Sequence, residues 1–228
     1  MENDLFEDEV KIEYSTKRKV WLEFKDLMAG CAFPLIIMIV FSSTIIAFSL
    51  GNNVDLTIKL LAIIGGELML AAALFVFGRT NGSEAYKNTV ENGRKRDLNS
   101  SDEKVAYHTG EYAIWKGVLI GFIICIPMLI FLTIQLLAPN TFCKFIMEYV
   151  FSWAIAPFSF IGEGYMVFGY TMVLFSIGIM TIGYYFGKRR QIKIQEQLAK
   201  TNPDDKRSRV VDIPGEKKKD KNNKGRKK

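Results

Sequence analysis

The sequence predicts an all-α integral membrane protein with four transmembrane helices and one re-entrant or interfacial helix, five spans being the alternative. Three observations predict it. Four blocks, residues 31–50, 56–77, 117–138 and 165–186, reach the ~20 predominantly apolar residues that a bilayer-crossing helix needs. Only two charged side chains, Lys59 and Glu67, fall inside them, so a soluble helical protein would need partners to cover 86 such residues. The chain is 49% hydrophobic, yet its mean hydropathy is only +0.12, and in the sequence the apolar residues are gathered into some blocks and the charged ones into others.

Residues 1–26 read as a cytoplasmic lead-in. Glu2, Asp4, Glu7, Asp8 and Glu9 make an acidic start that passes into the basic cluster Lys17–Lys19, charges that are best solvated. No short apolar core with a small-residue cleavage site precedes the first block, so that block is expected to act as its own insertion signal and to be retained. Cys31, Cys125 and Cys143 have neither the even count of a disulfide framework nor the spacing of metal ligands. Cys125 reads as packing within a span, and Cys31 lies at a membrane edge, where acylation is not the default.

Lysine and arginine set the orientation. The lead-in carries five, the turn 51–55 none, the segment 78–116 seven, the stretch 139–144 only Lys144, and the chain after Phe186 sixteen. Basic loops stay in the cytoplasm, so the N-terminus, the 78–116 loop and the tail are expected inside, which requires an even number of crossings. The doubtful stretch 145–162, with Glu148 near its start and Pro157 near its end, is therefore read as re-entrant or interfacial on the outer face. Trp21, Phe24, Tyr112, Trp115 and residues 184–186 all fall where an aromatic belt at the inner interface is expected. The Lys-, Ile- and Asn-rich character suggests an AT-rich genome, and the short termini and loops suggest a bacterial protein, hence a bacterial cell membrane.

The membrane domain, 27–186, includes the cytoplasmic loop. There Ser83 can cap a short helix running to Asn92, with Gly93 as its stop. Ser100 and Glu103 have capping-box spacing, and residues 101–116 read as an amphipathic helix continuing into the third span. The fourth span is expected to continue as helix through Lys200, with Pro203 ending it. The segment 187–228 is a basic tail, with sixteen basic and six acidic residues. From residue 201 onward it lacks any aromatic side chain, so it cannot bury enough surface to fold and is expected to be largely disordered.

Three groups of residues are candidates for function. Glu67 lies at the midpoint of the second span, where a carboxylate is costly and must face protein or water. It reads either as glue, bonded to Gln135, Ser42, Ser43 or Thr44, or as a relay for an ion, proton or substrate. Gly117 and Gly121, and Gly183 and Gly187, stand four apart at similar depth. They are expected to bring the third and fourth spans into close contact. Lys188, Arg189, Arg190 and Lys193 open the basic tail and are candidates for binding lipid headgroups of an anionic inner leaflet. Nucleic acid or a ribosome ranks below lipid, because no aromatic side chain is interleaved to stack on bases.

No residue pattern points to catalysis. His108 is the only histidine, which excludes sites that need two, and Gly183-x3-Gly187-Lys188 is too short for a phosphate loop and lacks its Ser/Thr. The chain is expected to be no enzyme and to carry no cofactor or metal. The leading expectation is a non-enzymatic accessory, scaffold or assembly factor acting through its cytoplasmic face, with a membrane-protein partner or a second copy of itself. The alternative is a small oligomeric transporter or channel built on Glu67.

Overall fold

The computed structural model describes residues 16–49, 55–98, 110–159 and 164–201, and among them every regular element is helical. The acidic start, Ser100, Glu103, the larger part of the expected 101–116 helix and the tail beyond residue 201 lie outside the described residues. Four long helices dominate: α1 (Thr16–Ser49), α2 (Leu56–Leu98), α3 (Ile114–Leu137) and α6 (Gly169–Thr201). Between α3 and α6 come two short ones, α4 (Thr141–Tyr149) and α5 (Ser152–Ile155), and two single 3-10 turns, Ala156–Phe158 and Tyr165–Phe168.

Each long helix contains a stretch long and apolar enough to cross a membrane. Little of that apolar surface is used inside the bundle. Only 17% of the apolar window of α2 is buried, and 39% of that of α3, so Leu61, Leu68, Met69 and Leu174 point outward. Such a continuous apolar exterior is far beyond what a water-facing monomer shows. Pro34 and Pro127 lie within α1 and α3, and Pro34 is fully buried, so a neighbouring helix covers the turn where an amide hydrogen is missing.

The most extensive pairing is α2 with α6, and these two run parallel: Phe75 lies beside Gly183, and Arg79 beside Gly187. Helix α3 packs antiparallel on another face of α6, with Gly117 against Tyr184 at one end and Gly169 against Leu132 at the other. Helix α1 packs on α2 and α3. The starts of α1 and α3 and the ends of α2 and α6 therefore share one end of the bundle, here called the basic end.

Glycine makes the α2–α6 pairing possible. A methyl group at Gly82 would collide with the Tyr184 carbonyl, and one at Gly78 with the Met180 carbonyl. From the other side, a methyl at Gly183 would strike the Phe75 carbonyl, and one at Gly187 the Arg79 carbonyl. Two four-residue glycine spacings thus face each other and let the backbones touch, the packing mode open to helices that gain little from hydrophobic association in lipid. The expected pairing of the third and fourth spans needs correction. Gly117 and Gly121 do pack on α6, against the Tyr184 side chain and against Ile177 and Met180, but Gly183 and Gly187 face α2.

Two further expectations are overturned nearby. No short helix starts at Ser83 and stops at Gly93, because α2 is unbroken through Leu98. Ser83 Oγ, instead of capping, donates to Gln191 Oε1 on α6 at 3.2 Å, and that helix supplies the packing that carries α2 through its glycines. Nor does a surface helix run continuously into the third span. Residues 111–113 are not helical, Gly110 is left-handed at φ 77°, and α3 starts only at Ile114.

Of the segment 145–162, residues 145–159 are described, and they are folded in pieces. Helix α4 begins earlier, at Thr141, where Asn140 Oδ1 accepts the Cys143 amide at 2.7 Å as an N-cap. The chain turns at residues 150–151, and α5 then inserts into the bundle with all four residues buried. Ser152 Oγ donates to the Ser42 carbonyl at 3.0 Å, and the Trp153 amide to Ser42 Oγ at 3.3 Å. Pro157 lies in the 3-10 turn that follows.

The glycine contacts make a testable prediction. Gly82→Ala should destabilise the protein in mild detergent by ~1–3 kcal/mol, the range for overpacking a close contact. Gly178→Ala, at a site with nothing within 4 Å, should be neutral or stabilise slightly. Gly121→Leu and Gly183→Leu act on different contacts and should add when combined, as read from thermal unfolding. An effect of the pair well below the sum would place the two glycines in one contact and contradict this arrangement.

Candidate functional site

Two cavities lined by polar and charged residues lie at the basic end, on two sides of α2. On the side of α1 and α3 they line a cavity of about 430 Å³. Its floor is apolar, from Leu27, Ile120 and Tyr184, and its walls carry Glu23 and Asp26 from α1, Asn81, Glu84 and Asn88 from α2, and Lys116 from α3.

Lys116 is the fixed point of this wall. It lies in the first turn of α3, where the helix dipole disfavours a cation, and it is only 7% exposed. Glu23 offsets both penalties, since Lys116 Nζ donates to Glu23 Oε2 at 2.6 Å. Three carboxylates thus face one ammonium in the cavity, and Asn81 adds a buried Nδ2 with no hydrogen-bond partner among the described residues. Among those residues no group of three or more His, Cys, Asp or Glu is placed to hold a metal ion.

The rim is held by the non-helical stretch before α3. Gly110 passes so close to α2 that a Cβ there would lie 3.0 Å from Asn88 Nδ2, which together with its left-handed backbone requires glycine. The Tyr112 amide then donates to Thr89 Oγ1 at 2.7 Å, and Asn92 Nδ2 to Glu111 Oε1 at 3.4 Å. The Tyr112 ring stacks on Tyr184 with centroids 5.0 Å apart. Two residues of the expected aromatic belt are accordingly spent on internal packing: Tyr184 is only 2% exposed, whereas Trp21 and Trp115 do face outward.

On another side of the α2–α6 crossing lies a groove of about 620 Å³. Three of the four cations singled out from the sequence, Arg189, Arg190 and Lys193, line it together with Phe75, Phe186 and Ile192. Lys188 does not, since its Nζ lies 5.2 Å from the Tyr112 ring centroid. Arg79 of α2 takes its place, and Glu196 is the single carboxylate. By hydropathy Arg79 falls in the 78–116 loop; its spacing of four from Phe75 is the signal that places it on the same helix face.

Glu67 belongs to neither site. Both its carboxylate oxygens are buried and have no hydrogen-bond partner among the described residues. Two of the partners suggested by sequence are engaged elsewhere: Ser42 holds α5, and Gln135 Oε1 accepts the Asn140 amide at 3.2 Å. The side chains of Ser43 and Thr44 lie outside the described residues. Cys31, which was placed at a membrane edge, is 4% exposed with its Sγ 3.1 Å from the Leu27 carbonyl, so it offers no surface for acylation.

The Lys116–Glu23 pair predicts an asymmetry. Glu23→Gln leaves an ammonium in a buried place and should lower stability by ~1–3 kcal/mol. Lys116→Met should cost less, because Glu23 retains 21% of its side-chain exposure and can take up water. The double variant should cost less than the sum, measured as thermal unfolding in detergent. Equal and additive effects would show that the pair is not coupled.

Compared with protein-family models, with curated proteins and with solved structures, the chain matches none.

Proposed function

We propose that the chain is a non-enzymatic integral membrane protein of a bacterial cell membrane, an accessory, scaffold or assembly factor that acts through a cytoplasmic basic end. The observation that carries this reading is the continuation of α2 and α6 past their apolar stretches. Helix α2 runs from Phe77 to Leu98 and α6 from Phe186 to Thr201 beyond those stretches, roughly 20–30 Å of projecting helix at 1.5 Å per residue. The Ser83–Gln191 bond ties the two together just past the glycine crossing, and Val90 and Gln195 are buried beyond it. A paired projection of this kind presents a fixed surface to another membrane protein or a second copy of the chain.

The opposite end supports the same reading. There α4 exposes Phe142, Phe145 and Tyr149 on one side and buries Cys143 and Met147 on the other, as an interfacial helix on the outer face would. Helix α5 fills the bundle behind it as the re-entrant part, and the tail, having an even number of crossings before it, returns to the cytoplasm.

A second reading, a small oligomeric transporter or channel, is favoured by one observation, the partnerless buried carboxylate of Glu67. Two measurements test the pair of readings. In a cysteine-free background, Asn140→Cys should react with an impermeant maleimide in intact cells, and Lys87→Cys, whose side chain is 62% exposed, only after lysis. Labelling of Lys87→Cys from outside would reverse the orientation. In proteoliposomes the parent should carry no pH- or ion-driven flux, and Glu67→Gln should be equally inert and equally stable. A robust parent flux abolished by Glu67→Gln would overturn the scaffold reading in favour of the transporter.

A further inference from the structure

The groove between α2 and α6 combines three features that ordinary surface charge does not. Its residues are ordered by depth. Phe75 and Phe186, with ring centroids 5.9 Å apart, lie at the ends of the apolar stretches, and Arg79, Arg190 and Lys193 follow one to two turns further along the same helices. An apolar floor below a cationic rim fits an amphipathic ligand with a negative head. Its charge is uncompensated, with four cations against Glu196 and none of them in an ion pair among the described residues. Finally, the cations come from two helices whose spacing is set by backbone contact, because Gly183 and Gly187 lie directly against the Arg79 backbone. Side chains on a surface this rigid lose less entropy on binding than solvated lysines of a tail.

We propose that this groove binds one phosphate-bearing anionic lipid, its phosphate held by Arg79, Arg190 and Lys193 and its acyl chain lying along Phe75 and Phe186. Arginine presents planar, forked donors that match phosphate oxygens, and two of the three head ligands are arginines. A volume of about 620 Å³ suits a headgroup with the first part of its chains. Arg189 adds charge from the rim while its guanidinium stays 4.9 Å from the Tyr185 ring centroid. The site rests on the basic end lying at a membrane surface, and not on what the protein does there.

The test is native mass spectrometry of the full-length protein in detergent, with phosphatidylglycerol and phosphatidylcholine offered at equal concentration. The parent should retain one phosphatidylglycerol in preference. Combined Arg79→Gln, Arg190→Gln and Lys193→Gln should reduce that retention by about tenfold or more, given the strength of charged phosphate contacts. Lys188→Gln, which changes the net charge by one but lies off the groove, should retain lipid as the parent does. Glu196→Gln should raise retention, a gain that misfolding cannot mimic. Millimolar inorganic phosphate should leave the lipid in place. Unchanged retention in the triple variant, an equal loss in Lys188→Gln, or no gain in Glu196→Gln would each overturn the site. Displacement of the lipid by inorganic phosphate would reassign it to a free anion.

Discussion

Everything at the basic end depends on the backbone contact between α2 and α6. Helices surrounded by lipid gain little by hiding apolar side chains from one another, so close association must come from van der Waals contact and weak polar contacts along the backbone. Gly78 and Gly82 on one helix and Gly183 and Gly187 on the other supply it, each leaving room for a carbonyl of its partner. The contact is also a register. It leaves Arg79 beside residues 187–190 and places Tyr184 between α2 and Gly117 of α3, so that three helices are positioned by one tyrosine and five glycines.

Charge is then sorted by which side of this crossing it falls on. Toward α1 and α3 the cavity is acidic, with Lys116 consumed by Glu23. Toward the groove the balance is basic, with a single glutamate. The two regions share α2, which turns Asn81, Glu84 and Asn88 to one and Phe75 and Arg79 to the other. A net charge of +6 for the whole chain conceals this division. Long-range attraction to an anionic surface follows the sum, whereas short-range recognition follows the local sets, and these have opposite sign.

The four long helices were legible in the sequence because lipid-facing residues dominate hydropathy wherever a helix crosses apolar surroundings. What hydropathy cannot report is where a helix ends. The second apolar block stops at Phe77, and Arg79, Asn81 and Glu84 then read as loop, so Gly78 and Gly82 were not counted as packing glycines at all. Gly183 and Gly187 were recognised as such but lacked a visible partner, and Gly117 and Gly121 stood in for it. The same boundary hid Arg79 from the groove. Ser83 and Gly93 mimic a cap and a stop because local rules describe an isolated helix, and here the bond from Ser83 to Gln191 and the packing of α6 override them. The break at residues 110–113 has a sequence signal, Gly110, but one glycine before an apolar block does not announce a left-handed turn.

Glu67 shows how the bundle's hydrogen bonds are distributed. Ser42 and Gln135 are the polar side chains that hydropathy would offer it, yet both are used to fasten the chain at the end opposite the basic one. The register set by Gly30 against Asn81 and by Phe33 against Phe77 places Glu67 level with residues 42–44 of α1, so it is close in depth to a partner already committed to α5. That commitment is the more favourable choice for Ser42. The Ser42 hydroxyl and carbonyl satisfy two buried donors of α5 at once, the Trp153 amide and the Ser152 hydroxyl, whereas one bond to a carboxylate would leave the Trp153 amide without its acceptor. Part of the cost then falls on Glu67, at the midpoint of the apolar stretch 56–77 of α2. Glu67 is not alone in this, since Asn81 Nδ2 on α2, Trp153 Nε1 on α5 and Ser176 Oγ on α6 are also buried without a partner among the described residues. The polar cost of the bundle is thus spread over several helices, and α5 itself carries part of it.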